Sequence, residues 1–280
     1  MKRILITGAN SYIGTAAERR LTAAGHTVDT LDMLGDWQSH DFSAYNSVFH
    51  VAGIAHDTGN KKDAGLYYAV NRDLAVETAR KAAAEGVKQF VFMSSMLIYN
   101  GVKERRITAE TVPAVRGAYG DSKLQADLAL QAMNGDTFKV AVVRPPMVFG
   151  ANCKGNFPRL VKLAMKLPVF PDIGNERSML HIDNLTELIR LIMENESSGV
   201  FFPQNAEYFR TTDLAVSIAE AKGKKLRTTK AFNWAVHCAK PLLPQLKKLF
   251  GDLTYDKSLS DHFGGAYRVV DNAESIRRSV

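Results

Sequence analysis

Two tyrosine–lysine pairs with a spacing of four residues could carry proton-transfer chemistry in this chain of 280 residues. Tyr119 and Lys123 would lie on one face of a helix. An ammonium beside a phenol favours the phenolate, so we expect Lys123 to lower the pKa of Tyr119 toward neutrality. Such a tyrosine can move a proton while a nicotinamide moves a hydride. Tyr99 and Lys103 have the same spacing, but the Asn-Gly turn signal between them makes the first pair the stronger candidate.

A glycine pattern near the N-terminus predicts a phosphate-binding loop. Gly8, Ser11 and Gly14 follow the spacing G-x-x-S-x-x-G between an apolar run and a helical pattern. Glycines there let the backbone approach a pyrophosphate at a helix N-terminus. Ser11 occupies the place of a middle glycine. Either the backbone approaches the pyrophosphate less closely there, or the Ser11 hydroxyl donates a hydrogen bond to it. Asp32, about 20 residues on, would accept both hydroxyls of an adenosine ribose and repel a 2′-phosphate, which favours NAD over NADP.

Strand and helix patterns alternate through the first half of the chain, which predicts a parallel sheet wrapped by helices. The expected strands are 2–7, 27–31, 47–52, 88–93 and 139–144, and the expected helices are 13–24, 63–85 and 119–133. Only 14 residues, 33–46, separate Asp32 at the end of the second strand from Ser47 at the start of the third, so we expect a short or irregular crossover. Ser94 and Ser95 follow the fourth strand, at the edge of the sheet where ligands bind.

The second half has shorter apolar runs and more proline and lysine. We therefore predict an α/β fold in which residues 1–150 form a Rossmann-type, doubly wound NAD-binding domain, with returning elements from 175–205. Residues 151–280 would form a smaller substrate-binding lobe. No apolar run reaches the ~18 residues of a membrane span, and two cysteines cannot form a disulfide scaffold or a cysteine metal site. We expect a cytoplasmic protein without a metal.

The net charge of +7 lies entirely in the last part of the chain. Residues 1–221 hold 24 basic and 24 acidic residues, whereas residues 222–280 hold 12 and 5. Residues 231–250 interleave aromatic and aliphatic residues with lysines, which favours packing on the second lobe and leaves contact with a membrane surface as the alternative. No nucleic-acid-binding motif accompanies the basic residues, so we expect no nucleic-acid partner.

Taken together, these motifs resemble the extended short-chain dehydrogenases/reductases of the NAD-dependent epimerase/dehydratase type. The segments that carry the resemblance keep the family's order over about two thirds of the chain. They are 7–14, Phe49 to Gly53, Asn71, 92–99, Tyr119 to Lys123, 144–150 and 177–184.

The resemblance implies a role for each matching residue. Tyr119 would be the catalytic acid/base, Lys123 its charge partner and Ser95 the hydroxyl that binds the reacting sugar. The implied cofactor residues are Gly8, Asn10, Ser11, Tyr12, Ile13, Gly14, Asp32, Val51, Ala52, Gly53, Asn71, Ser94, Tyr119, Lys123 and Pro146. The implied substrate residues are Ser95, Met96, Met147, Asn156, Phe157, Val169, Phe170 and Arg177.

The function implied is hydride transfer at a sugar carbon, C4 above all, of a nucleotide-activated sugar. Asp32 favours a UDP-sugar 4-epimerase with tightly bound NAD, and a 4-ketoreductase of surface-polysaccharide synthesis remains the alternative. Met96 and Leu97 stand where 4,6-dehydratases of the family carry an Asp-Glu pair, which argues against dehydration. A non-catalytic dinucleotide sensor is disfavoured because the catalytic Ser, Tyr and Lys are all present. The resemblance also implies a homodimer through helices 63–85 and 119–133.

Overall fold

The computed structural model describes residues 1–54, 64–231, 233, 234, 238, 246 and 249–280. Its strands are β1 (Arg3–Thr7), β2 (Thr27–Leu31), β3 (Ser47–His50), β4 (Gln89–Met93), β5 (Arg106–Ile107), β6 (Lys139–Val143), β7 (Met147–Phe149), β8 (Val169–Pro171), β9 (Met179–His181), β10 (Gly199–Phe201), β11 (Arg227–Thr229) and β12 (Thr254–Tyr255). Its α-helices are α1 (Tyr12–Ala23), α2 (Ala64–Tyr68), α3 (Leu74–Ala84), α4 (Ala118–Gln131), α5 (Asn156–Lys166), α6 (Ile182–Glu194), α7 (Thr211–Ala221) and α8 (Asn272–Arg277).

Six strands form one central parallel sheet in the order β10-β6-β4-β3-β1-β2. The chain runs outward from β1 to β2 and then returns to β3 on the other side of β1. This reversal opens a crevice between the carboxyl ends of β1 and β3, which is where doubly wound sheets bind ligands. The predicted Rossmann-type fold is confirmed.

Alternating side chains of the sheet enter two different cores. Ile4 and Ile6 face the side covered by α1 and α6, whereas Leu5 faces the side covered by α3 and α4. Because both faces are covered, the inner strands β1, β3, β4 and β6 carry mostly buried apolar runs, as buried parallel strands do. All five positions of β4 are buried.

Two connections bear on the sequence predictions. The crossover 33–46 is short and irregular, as expected, and its regular element is a 3₁₀ turn, Trp37–Ser39. The helix expected over 63–85 is interrupted by a π-helical turn, Ala69–Asp73, between α2 and α3. Such a turn inserts one extra residue into the helical repeat and is common at functional sites.

A further hydrophobic core lies outside the main sheet. It is built from α5, β8, α7 and buried residues of the C-terminal part such as Phe250, whose ring packs against that of Phe170 on β8. The edge strand β10 returns from the second half of the chain to complete the main sheet. The division at residue 150 stays a prediction. Across the described ranges, no helix combines the length and the apolarity needed to cross a membrane.

A buried carboxylate ties α4 to the ends of two central strands. Asp127 accepts hydrogen bonds from the Ser94 hydroxyl (2.6 Å), from the Arg144 guanidinium (2.7 and 2.9 Å) and from the Gln131 amide (2.6 Å). Asp127 is completely buried and Arg144 nearly so. A third N–H of Arg144 donates to the Tyr99 hydroxyl at 2.8 Å. Every charge in this cluster therefore has a partner.

Neutralising this carboxylate should destabilise the protein. In Asp127→Asn, the buried Arg144 charge loses its counter-ion, and breaking such a pair typically costs about 3 kcal/mol or more. We expect a lower free energy of unfolding in urea titrations followed by circular dichroism. Asp136→Asn, an exposed site five residues beyond the end of α4, is the matched control and should change stability by about 0.5 kcal/mol at most. Equal effects of the two substitutions would contradict this account.

Candidate active site

The loop after β1 turns sharply against the end of β3. Gly8 has φ +95°, and its N–H donates to the Leu31 carbonyl at 2.9 Å. A Cβ on Gly8 would lie only 2.7 Å from the Ala52 nitrogen, so no side chain fits. Asn10 also takes a left-handed conformation, with φ 62°. The loop expected to bind phosphate therefore lies at the reversal point of the sheet.

Ser11 caps helix α1. Its Oγ accepts a hydrogen bond from the Gly14 N–H at 3.1 Å. The hydroxyl therefore satisfies one backbone N–H of the helix start, and its own O–H can donate to a bound anion in place of that N–H. A Cβ on Gly14 would lie 2.6 Å from that Oγ, which explains the second glycine of the motif. Tyr12 and Ile13 begin the helix, whose N-terminal N–H groups suit an anion.

Asp32 lies just beyond β2 with an exposed carboxylate. One of its oxygens accepts from the Leu34 N–H at 3.0 Å, which fixes the carboxylate within its turn. Val51, Ala52 and Gly53 follow β3 on the other side of β1. The close loop–strand contact, the capped helix and the carboxylate at the next strand end match the features that hold a dinucleotide. These residues fit NAD.

The structure brings the three predicted catalytic residues together. Ser95 follows β4, and its hydroxyl is hydrogen-bonded to that of Tyr119 at the start of α4. The Ser95 oxygen also accepts from the Leu97 N–H at 3.1 Å, which orients the side chain. The ring of Tyr67 packs edge-on against Tyr119, with 5.9 Å between ring centroids. Sequence reasoning missed Tyr67, although it stands one helical turn before Asn71.

Lys123 is buried on α4, one helical turn after Tyr119. Its Nζ donates to the Met93 carbonyl at 2.9 Å and lies 4.8 Å from the centre of the Phe92 ring. Burial lowers the pKa of Lys123 to about 8, against a smaller opposing effect of Asp127. The amine is therefore close to the point where it exchanges protons at neutral pH.

The expectation that Lys123 lowers the pKa of Tyr119 is wrong for this structure. The pKa of Tyr119 is raised, because removal of the phenol from water outweighs the hydrogen bond from Ser95. The Lys123 amine is directed at the Met93 carbonyl, and it does not contribute to the shift. Tyr119 is therefore a protonated phenol at neutral pH, suited to donating a proton.

Asn71 joins the active-site helix to the loop after β3. It is fully buried in the π-helical turn. Its side-chain oxygen accepts from the Ile54 N–H at 2.9 Å, and its amide donates to the Ile54 carbonyl at 3.3 Å and to the Ser122 hydroxyl at 3.4 Å. Gly53 passes so close that a Cβ there would lie 2.9 Å from the Asn71 oxygen. Asn71 thus fixes the loop and α4 relative to each other.

The other candidates near the sheet edge take supporting positions. Ser94 donates to Asp127 and so faces the buried cluster. Met96 is buried, and its N–H donates to the Pro145 carbonyl at 2.8 Å, which places Pro146 and Met147 next to the end of β4. The second Tyr–Lys pair is not assembled, because Tyr99 is buried against Arg144 while Lys103 is exposed.

The predicted substrate residues are dispersed through the second lobe. Phe157 and Phe170 are buried in its core, where they shape the lobe from within, and Val169 is partly exposed on β8. Asn156 is exposed at the first turn of α5. The half-buried Arg177 keeps a guanidinium N–H 3.5 Å from the Leu249 carbonyl. Substrate contact by these five residues stays a prediction.

The histidines show no metal-ligand arrangement in the described ranges, where no group of three or more His, Cys, Asp or Glu could hold an ion. His50 pairs with the Thr7 hydroxyl at 2.9 Å, and burial lowers the pKa of His50 to about 3, so the ring is neutral. His56 lies outside the described residues.

The chain is similar to a known protein family and to solved structures over most of its length. The model of the NAD dependent epimerase/dehydratase family matches residues 4–201. Over 297 aligned positions, the chain is 30% identical to the UDP-glucose 4-epimerase of Vibrio cholerae, covering 96% of this chain and 87% of the relative.

Solved structures show the same fold. The UDP-glucuronic acid 4-epimerase of Bacillus cereus in complex with NAD superposes with a TM-score of 0.76 at 17% identity, covering 99% of this chain and 94% of that one. A dTDP-4-dehydrorhamnose reductase from Clostridium acetobutylicum gives 0.75 at 17% identity, with coverage of 99% and 98%. The fold is therefore shared by epimerases and reductases and does not separate them.

Gly8→Ala should weaken NAD binding and lower stability, because the methyl group meets Ala52 and φ is positive. Gly25→Ala is the matched control, since Gly25 has φ +86° and no atom lies within 4 Å of the place its Cβ would take. The control should carry only the cost of the left-handed backbone, about 1–2 kcal/mol. Thermal unfolding and calorimetric titration with NAD measure both effects. An unchanged NAD affinity in folded Gly8→Ala would place the cofactor elsewhere.

Proposed function

The chain belongs to the NAD-dependent epimerase/dehydratase family, and from that premise we propose that it interconverts UDP-sugars that differ in configuration at C4. The observation that carries the proposal is the joint position of Ser95, Tyr119 and Lys123 at the carboxyl end of β4, beside the loop of Gly8. The similarity to a UDP-glucose 4-epimerase over nearly the whole chain supports this chemistry.

The proposed cofactor is tightly held NAD. The helix N-terminus capped by Ser11 would bind the pyrophosphate, and the Asp32 carboxylate would accept hydrogen bonds from the ribose hydroxyls. A carboxylate at that place repels a 2′-phosphate, which favours NAD over NADP. When bound, NAD supplies a hydride acceptor that can return the hydride to either face of a sugar carbon.

The chain's own residues would move the proton. Tyr119 would act in two protonation states: as the phenolate it would take the proton of the C4 hydroxyl when the alcohol is oxidised, and as the phenol it would give a proton to the C4 oxygen when the keto form is reduced. Ser95 would hydrogen-bond the same oxygen, because its own oxygen is already oriented by the Leu97 N–H. Lys123, with its pKa near 8, would stabilise negative charge on Tyr119 once substrate and cofactor have excluded water.

We propose that the lobe after residue 150 binds the nucleotide diphosphate. Arg177 is suited to this role, since a guanidinium forms paired hydrogen bonds with phosphate oxygens. Burial lowers the pKa of Arg177, but the nearby Asp252 opposes that shift, and an arginine stays charged at any physiological pH.

A homodimer is part of the same proposal. The predicted interface helices 63–85 and 119–133 correspond to α2 with α3 and to α4. Within them, α2 and α4 each carry an exposed leucine, Leu66 and Leu128. Because α2 and α4 contact each other, a subunit interface over them would cover both leucines in its centre, which is more apolar than the rim.

Tyr119→Phe should reduce kcat for 4-epimerisation of UDP-glucose by about 10²- to 10⁴-fold, because the proton carrier is lost. NAD content should stay as in the wild type. Tyr68→Phe is the matched control, because Tyr68 is on the neighbouring helix and its hydroxyl donates to Asp121. A coupled assay of UDP-galactose measures turnover, and wild-type turnover in Tyr119→Phe would refute the assignment.

A substrate that carries deuterium at C4 separates epimerase from 4-ketoreductase. We expect the label to remain in both epimers, because the hydride returns within one active site, and denatured protein to release NAD near one per chain. Mass spectrometry of the sugars and of the released cofactor measures both. Protein free of cofactor that consumes NADH or NADPH with each turnover of a 4-keto sugar would instead establish the reductase.

A further inference from the structure

Two stretches of sequence that contain no acidic residue carry an unusual density of basic residues in the second lobe. Residues 154–171 hold four basic residues and residues 222–230 hold five. Eight of these side chains are exposed, and we refer to the seven other than Lys154 as the basic face. They are Arg159, Lys162, Lys166, Lys222, Lys225, Arg227 and Lys230.

The fold brings the two stretches side by side. Strand β8 pairs with β11 in parallel, with Val169 opposite Arg227. Lys224 donates to the carbonyls of Ala164, Met165 and Leu167 at 2.6–2.9 Å, which ties the turn after α7 to the end of α5. The basic residues of α5 have the spacing i, i+3 and i+7, so they share one face of that helix.

These cations take no part in the ion pairs among the described residues. Within the described ranges, none of the seven lies within ion-pair distance of a carboxylate, in contrast to Arg210, which pairs with Asp172 at 3.1 Å and with Asp213 at 3.2 Å. Glu220, exposed near the end of α7, is the acidic residue that adjoins the basic face in sequence. The face therefore has a strong excess of positive charge available for an outside partner.

Large apolar side chains are exposed next to the same cations. Met165 is 36% exposed, Val169 37% and Trp234 71%. The position of Trp234 follows from its neighbour Asn233, whose amide donates to the Asp172 carbonyl at 2.8 Å, directly beyond β8. Leaving a tryptophan in water is costly unless a partner covers it.

We propose that the basic face docks on the surface of a membrane rich in anionic lipids. Lysine and arginine are attracted to anionic headgroups, and tryptophan and methionine side chains enter the boundary between headgroups and acyl chains. A polyanion without an apolar layer, such as RNA, would account for the cations but would leave Trp234 uncovered. Apart from Val169, which is also one of the predicted substrate residues, this surface lies outside the candidate active site, and the proposal is independent of the reaction performed there.

Co-sedimentation with vesicles tests the proposal on the whole chain. We expect binding to vesicles that contain phosphatidylglycerol, none to vesicles of phosphatidylcholine alone, and release at high salt. The variant Lys162→Glu, Lys166→Glu, Arg227→Glu should lower the partition coefficient by about 100-fold or more, since each basic residue near an anionic surface contributes roughly a factor of five to ten. Arg19→Glu, Lys88→Glu, Lys103→Glu makes the same change of charge at exposed positions elsewhere and is the matched control.

The two tryptophans supply a second readout. Trp37 is buried and Trp234 is exposed, so a blue shift of the emission on addition of vesicles reports on Trp234. Lipids with brominated acyl chains should quench it, and Trp234→Ser should abolish the response in a protein whose unfolding temperature is unchanged. This comparison is informative even where the charge-reversal variant does not fold.

Several outcomes would overturn the proposal. These are no sedimentation with anionic vesicles, equal loss of binding in the control variant, or binding without a response of Trp234. Tighter binding of RNA than of vesicles, with the same dependence on the basic face, would identify a nucleic acid as the partner instead.

Discussion

The buried carboxylate of Asp127 sets the geometry of the candidate site. It receives hydrogen bonds from Ser94 at the end of β4 and from Arg144 at the end of β6, and it belongs to the helix that carries Tyr119 and Lys123. A buried charge of this kind must be matched on every side, because each missing partner leaves an unsolvated group. The sheet edge and the helix are therefore held in one arrangement, and Ser95 meets Tyr119 as a result.

Much of the fold could be predicted from the sequence because its strands and helices are regular and alternate along the first half of the chain. The five strands expected before residue 150 all occur, and the short crossover before Ser47 was recognisable from its length alone. The π-helical turn around Asn71 was not predictable, because no hydrophobic period marks one extra residue. The same holds for the two-residue pairing of β5 with β12, which joins segments nearly 150 residues apart.

The sequence predicted which residues form the candidate site better than it predicted their pKa values. Residue types and spacing pointed to Ser95, Tyr119 and Lys123, which the structure brings together. Spacing could not show that the Lys123 amine is satisfied by a backbone carbonyl, or that burial raises the pKa of Tyr119. Proton affinities depend on desolvation, and desolvation depends on packing that no local pattern records. Tyr67 was missed for the same reason, because it reaches the site only through the contact of its ring with that of Tyr119 on another helix.

The C-terminal segment also decides when the site can form. The hydroxyl of Tyr255 donates to the Arg144 carbonyl at 2.9 Å, across a separation of 111 residues. Tyr255 is fully buried, so the environment of Arg144 stays incomplete until the last tenth of the chain is in place. During synthesis from the N-terminus, the central strands can pair long before that. The chain therefore has to pass through a stage in which the central sheet has formed but the candidate site has not. Because such contacts join distant parts of the chain, folding of this protein should be slow relative to domains built from local contacts.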